Sequence, residues 1–185
     1  MAIYHCSVKT ISRGGGKSAV ASSAYRSGEK IKNEYDGVTH DFQKKSGIVH
    51  TEIITPENAP EWTKNRAKLW NEVEAHENRK DARLAREVEV ALPKELNRDQ
   101  QKELVQNYCK ENFVNKGMIA DVAIHDKKDG NPHAHIMLTD RPINENGFAK
   151  KKDRSWNEKA VLENWSEGWE KHANKYLEKE QHISH

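Results

Sequence analysis

An α+β fold is the class this sequence predicts, and three observations carry the prediction. Hydrophobic periodicity alternates along the chain between the two-residue period of strands and the 3.6-residue period of helices. Two strand-like runs in the C-terminal half are joined by one short turn-rich segment, so at least part of the sheet is antiparallel. The length, 185 residues, suits a single domain around one core.

In chain order, Ala2 to Lys9 alternates as a strand and runs into the loop Ser12-Arg13-Gly14-Gly15-Gly16-Lys17. Ser18 then offers an N-cap to a helix over Ala19–Arg26, built of small residues that allow close packing and stopped by Gly28. A polar stretch follows. Gly47 to Thr55 alternates as a short strand closed by Pro56 and Pro60, and Trp62, Leu69 and Val73 form a helical stripe between Glu61 and Asn78. From Leu84 to Leu92 the period returns to two: Val88, Val90 and Leu92 face one way, Glu87, Glu89 and Ala91 the other. Asn97 caps a helix through Leu104, Val105, Tyr108 and Cys109, with Gly117 as its C′ residue. Met118–His125 and His133–Thr139 form a hairpin around Asp126 to Pro132. A final helix spans Asn157 to Glu180, with Leu162, Trp165, Trp169, Ala173 and Tyr176 on one side. The expected order is β-α-β-α-β-α-β-β-α.

Composition excludes several classes. With 35% hydrophobic and 32% charged residues there is material for one core, and no apolar run approaches the roughly 18 residues of a spanning helix. The start lacks a secretory signal, so the chain reads as cytoplasmic. Two cysteines, Cys6 and Cys109, are too few for a disulfide framework or a thiolate zinc site. Lys plus Arg (31) barely exceeds Asp plus Glu (29), so any basic surface must come from local arrangement.

His133-Ala134-His135 places two imidazoles on one face of a strand. With 10 histidines in the chain, an H-x-H arises roughly 0.5 times by chance, so the pair alone is weak. His125, at the end of the preceding strand, changes the weighting because the hairpin turns it to the same side. Three imidazoles then converge, a nitrogen donor set with open positions that suits a catalytic divalent metal; hydrogen-bonded or exposed histidines are the bland alternative. Tyr25 is the second feature, competing with Tyr4 and Tyr35 and with a plain core role. As a nucleophile a phenol needs nearby cations, which Lys17 and Arg26 offer, or a base, which Glu87 or Glu89 offers if their strand lies beside the histidine hairpin. Arg79, Lys80, Arg83 and Arg86 form one basic cluster, and Lys150, Lys151, Lys152 and Arg154 another, either able to neutralise phosphates or to be a solvated surface. The glycine loop is not a nucleotide P-loop, since Ile11 stands where the first glycine is needed. With Arg13 and Lys17 it remains able to hold a DNA phosphate at a helix N-terminus.

Three collinear stretches, Ser18 to Gly28, Arg79 to Pro93 and Gly117 to Phe148, resemble motifs of the MobA/MobL-type (TraA-like) plasmid relaxases of the HUH endonuclease superfamily. The resemblance implies a central antiparallel sheet with helices on one face and a three-histidine metal site on the other. It implies single-tyrosine chemistry, with Tyr25 resembling the nucleophile, His125, His133 and His135 the metal ligands, and Glu87 and Glu89 the acidic residues of the active-site strand. The implied activity is nicking of single-stranded DNA at a transfer origin with an adjacent hairpin, through a 5′-phosphotyrosine, and rejoining after transfer. Mn or Mg is the expected ion, with Zn, Co or Ni able to substitute. Relaxosome accessory proteins and a type IV secretion coupling protein are the implied partners of a monomer, and residues 1–185 read as one relaxase domain excised from a longer protein. Three readings compete: a rolling-circle replication initiator, a non-catalytic origin-binding module, and a metal-binding protein without a nucleic-acid role. The DNA target separates the first, the absence of a covalent product the second, and the absence of salt-sensitive DNA affinity the third.

Overall fold

The structure, a computed structural model, describes residues 5–183. Five strands form one antiparallel sheet: β1 (Cys6–Ser12), β4 (Ile48–Ile54), β5 (Arg83–Ala91), β6 (Ala120–His125) and β7 (His133–Thr139), in the order β1-β5-β7-β6-β4. Four helices accompany them: α1 (Ala19–Ser27), α2 (Arg66–His76), α3 (Arg98–Asn112) and α4 (Lys159–Ile183). The expected element order holds, with two small hairpins added. One, β2 (Lys30–Lys32) with β3 (Thr39–Asp41), occupies the stretch that reads as merely polar; the other pairs β8 (Ile143–Asn144) with β9 (Gly147–Phe148). Both are too short to show a period in sequence.

The two faces of the sheet follow from strand alternation. On one face Val88, Val90, Val122, Ile124, Ala134 and Ile136 meet α3 and α4, whose Tyr108, Trp165 and Trp169 are fully buried together with Phe113 at the end of α3. The Tyr108 hydroxyl satisfies itself by donating to the Trp165 carbonyl at 2.7 Å. The opposite face carries Glu87, Glu89, His125, His133 and His135, the site face. It is not bare: α1 and α2 cover its far half and build a second, smaller core from Val20, Ala24, Leu69, Trp70, Ala85 and Met137. Helices therefore lie on both sides, and the expected one-sided arrangement describes only the half of the sheet that bears the histidines.

Local signals set the boundaries. Ser18 caps α1 by accepting from the Ala21 N–H at 3.1 Å, and Gly28 ends it in the left-handed region (φ 72). Asn97 and Gln100 form a reciprocal capping box on α3. That helix ends at Phe113, and Gly117 closes a following 3-10 turn at φ 97 instead of serving as the helix's own C′ residue. The stripe from Glu61 begins as a 3-10 turn, Glu61–Lys64, because Asn65 caps α2 only afterwards. Strand β1 extends beyond the predicted end to Ser12, drawn on by pairing of Ile11 with Ala85; Ala2 to Tyr4 lie outside the described residues.

Candidate metal and nucleophile site

Register brings the histidines together. In the β6–β7 hairpin His125 lies opposite His133, and across β5 Glu89 lies opposite His135, so all four side chains share one face. The ring centroids are 4.6 to 5.5 Å apart, and one nitrogen from each ring lies within 4.8 Å of the others.

Each ring is also tied to an acceptor. His125 Nε2 lies 2.8 Å from the Arg26 carbonyl, His133 Nδ1 3.0 Å from the Asn131 carbonyl, and His135 Nδ1 2.6 Å from Glu87 Oε1. Carbonyls and carboxylates only accept, so each of these nitrogens carries the proton. That assignment turns His125 Nδ1, His133 Nε2 and His135 Nε2 to the shared centre as the nitrogens available to a divalent transition ion. Burial outweighs the Arg26 carbonyl and, with the neighbouring cations and imidazoles, holds His125 down to about 4, so its ring is neutral at physiological pH.

Glu87 is buried, which works against its charge, but hydrogen bonds from His135 and Arg26 win and hold its carboxyl at about 2. Arg26 places Nη2 3.0 Å from Oε2 and Nε 2.9 Å from Oε1. Glu87 is thus committed on both oxygens and orients His135. Glu89 is more open, with Oε1 3.7 Å from His135 Nε2.

Tyr25 lies on the last turn of α1, one residue before Arg26, whose carbonyl receives His125. Its side chain, 43% exposed, lines a cleft of about 790 Å³ with Phe42, Lys44, Lys45 and Lys127. Tyr35 lies elsewhere, on the β2–β3 turn beneath the Arg13 guanidinium, and Tyr4 falls outside the described residues.

The basic residues divide. Arg13 is consumed internally: it donates to the carbonyls of Glu74, Glu77 and Arg79 and pairs with the Glu74 carboxylate at 2.7 Å. The α1 N-terminus is likewise occupied, because Glu74 Oε1 accepts from the Ala19 N–H at 2.8 Å. A phosphate there would meet that carboxylate. Arg86 is buried on the α4 face, 5.9 Å from the Trp165 ring, away from the triad. Arg83 and Lys152 share Asp140, and Lys152 also donates to the Arg83 carbonyl at 2.7 Å. These contacts join the two basic clusters, distant in sequence, into one patch whose exposed members are Arg79, Lys80, Lys150, Lys151 and Arg154. Lys17 is exposed at the start of α1. Lys44, Lys45 and Lys127 join the site only in the structure; short lysine pairs in polar loops carry no periodic or motif signal.

A five-stranded antiparallel sheet with three histidines on a central hairpin and a tyrosine helix at their edge defines a protein of the relaxase class. A conjugative relaxase, TrwC, solved in complex with oriT DNA with copper bound, shares this fold at a TM-score of 0.56 and 12% identity over 95% of this chain and 70% of that one. The chain belongs to the MobA/MobL family, which it matches over residues 17–185. It is 43% identical over 162 residues to the conjugal transfer protein TraA of Agrobacterium fabrum, an alignment covering 82% of this chain but 15% of that protein's length. A solved structure described as the molecular basis of vancomycin resistance transfer in Staphylococcus aureus matches at a TM-score of 0.90 and 36% identity, covering 97% of this chain and 94% of that one. Among the described residues no helix is long and apolar enough to cross a membrane.

Proposed function

We propose that this chain nicks one DNA strand at a plasmid transfer origin and rejoins it after transfer, acting in the cytoplasm on single-stranded DNA. The observation that carries the reading is the join between α1 and the triad: the carbonyl that orients His125 belongs to Arg26, the residue next to Tyr25. A divalent ion held by His125, His133 and His135, Mn or Mg in the cell and Zn, Co or Ni in their place in vitro, would polarise the non-bridging oxygens of the scissile phosphate. Tyr25 Oη bonds to phosphorus as the bond from phosphorus to the 3′ oxygen breaks. The phenol proton leaves and the 3′ oxygen gains one, so a 5′-phosphotyrosine and a 3′-hydroxyl result. One phosphodiester replaces another, which makes the step reversible without ATP. The paired Arg26 and Glu87 hold His125 and His135 in place, while the cleft lysines meet backbone phosphates and the patch around Arg79 and Lys151 meets the flanking DNA.

The test is a denaturing gel of protein mixed with Mn²⁺ and single-stranded oligonucleotides from the flanking plasmid DNA. A metal-dependent adduct mapped to Tyr25 by mass spectrometry, absent in Tyr25→Phe with DNA binding retained, is expected. Tight, sequence-specific binding with no adduct under any metal would replace nicking by a binding-only role.

A further inference from the structure

The cleft beside the triad holds a cation to which the nicking chemistry gives no role beyond phosphate contact. After β3 the chain turns over Phe42 to Lys45, closed by the Lys45 N–H on the Phe42 carbonyl at 3.0 Å. This turn lies across the end of α1. Phe42 meets the Tyr25 ring edge-on, with centroids 5.1 Å apart. Lys45 sends Nζ over the face of the same ring, 3.4 Å from its centroid, and donates to the Tyr25 carbonyl at 3.0 Å. Two contacts from one ammonium therefore fix both the backbone and the ring of the nucleophile.

The charges around Tyr25 are not equivalent. Arg26, 5.1 Å from the ring centroid, is already neutralised by Glu87. Lys44 and Lys127 line the cleft with no ion pair among the described residues. Lys45 forms none either among the described residues, and it alone of the lysines lies on the ring. Burial and the neighbouring Arg26 and Lys127, only partly offset by the Glu87 carboxylate, bring its ammonium down to about 8. A cation on a ring face is favourable for a neutral phenol and far more so for a phenolate. Its stabilisation thus grows as the oxygen becomes a nucleophile and again as it becomes a leaving group.

We propose that Lys45 is a positioning residue for Tyr25 that also supplies the positive charge against which its phenolate forms in nicking and departs in rejoining. The proposal rests on the Tyr25 reading. It assigns a role to a loop lysine some twenty positions from the nucleophile, on an element separate from the helix and the hairpin.

The experiment compares wild type, Lys45→Met and Lys45→Arg in single-turnover formation of the adduct at saturating single-stranded DNA, with Kd measured by anisotropy at fixed salt. Lys45→Met is expected to slow the saturated step on the order of 100-fold, to slow rejoining to an added 3′-hydroxyl strand in proportion, and to change Kd by less than about threefold, the effect of a single phosphate partner. Lys45→Arg, which keeps the charge, is expected to recover most of the rate. In the metal-free protein labelled with ¹³C-tyrosine, the Tyr25 ring signals should move in Lys45→Met and stay near their wild-type positions in Lys45→Arg. A Met variant that cleaves at the wild-type rate overturns the proposal, as do equal losses in Met and Arg variants with unchanged ring signals. Absence of an adduct in the wild type would instead overturn the nicking reading, and this proposal with it.

Discussion

Each imidazole of the triad has its proton placed by an acceptor from a different part of the chain: a helix carbonyl, a turn carbonyl and a strand carboxylate. The consequence is sharpest at Glu87. Glu87→Gln leaves an amide in place of the charge that binds His135 and Arg26, while Glu89 touches the triad only at 3.7 Å. Glu87→Gln should weaken Mn²⁺ binding by roughly 10- to 100-fold and slow cleavage more than Glu89→Gln, with DNA binding nearly intact. Calorimetry with Mn²⁺ and a cleavage time course check this; equal losses from the two variants would remove the distinction. The two glutamates join the histidines only through the pairing of β5 with β7, whereas the three histidines are legible in sequence because period two and a hairpin fix which side chains share a face. The proton positions are not, since the acceptors come from residues up to 99 positions away.

At the scale of elements, α1 decides where Tyr25 stands, and its start is held from outside. Glu74 on α2 receives the Ala19 N–H, the Ser18 hydroxyl and the Arg13 guanidinium. Glu74→Ala strands a largely buried Arg13 and should cost about 3 kcal/mol, whereas Ser18→Ala removes one cap and should cost about 1 kcal/mol. Urea unfolding monitored by circular dichroism distinguishes them; a Ser18→Ala loss as large as that of Glu74→Ala would mean the cap, not the buried pair, anchors the helix. The sequence marks Ser18 and Gly28 as the ends of this helix because caps are local chemistry. It does not mark Glu74, which reads as one more charge on a polar helix. The β2–β3 hairpin and the Phe42 to Lys45 turn escape sequence reading for a related reason. Three-residue strands show no period, and what fixes them is their packing back over α1.

For the whole molecule, the distribution of charge governs the response to pH and to salt. His125 is held near 4 by burial, so the unfolded chain takes up a proton there around pH 6.5 while the folded chain does not until about 4. Glu87, at about 2 when folded, likewise contributes stability above its unfolded value near 4.3 that is lost as pH falls towards about 2. Both slopes have one sign: the metal-free protein should lose stability steadily on acidification from about pH 6.5. Urea midpoints measured in chelator between about pH 7 and about pH 4 check the His125 contribution, and a flat profile over that range would contradict its shift. In salt titrations of DNA binding, replacing Lys150, Lys151 and Arg154 together with alanine should flatten the dependence, by roughly 0.7 in slope for each single-strand phosphate these residues neutralise. Arg86→Met should leave that slope unchanged, because Arg86 is buried.

The sequence by itself determined the α+β class, the order of the main elements, both caps of α1, the N-cap of α3 and the convergence of His125, His133 and His135. All of these rest on periodicity or on chemistry within a few residues. Only the tertiary structure decided that α1 and α2 cover half the site face, that Arg13 and Arg86 are internal while two separate basic runs merge, and that Lys45 lies on the Tyr25 ring. Those outcomes depend on which buried charges find partners and which loops cross which helices. A single chain's local pattern does not encode them, because a charged residue looks the same in sequence whether it faces water, a phosphate or a carboxylate far along the chain.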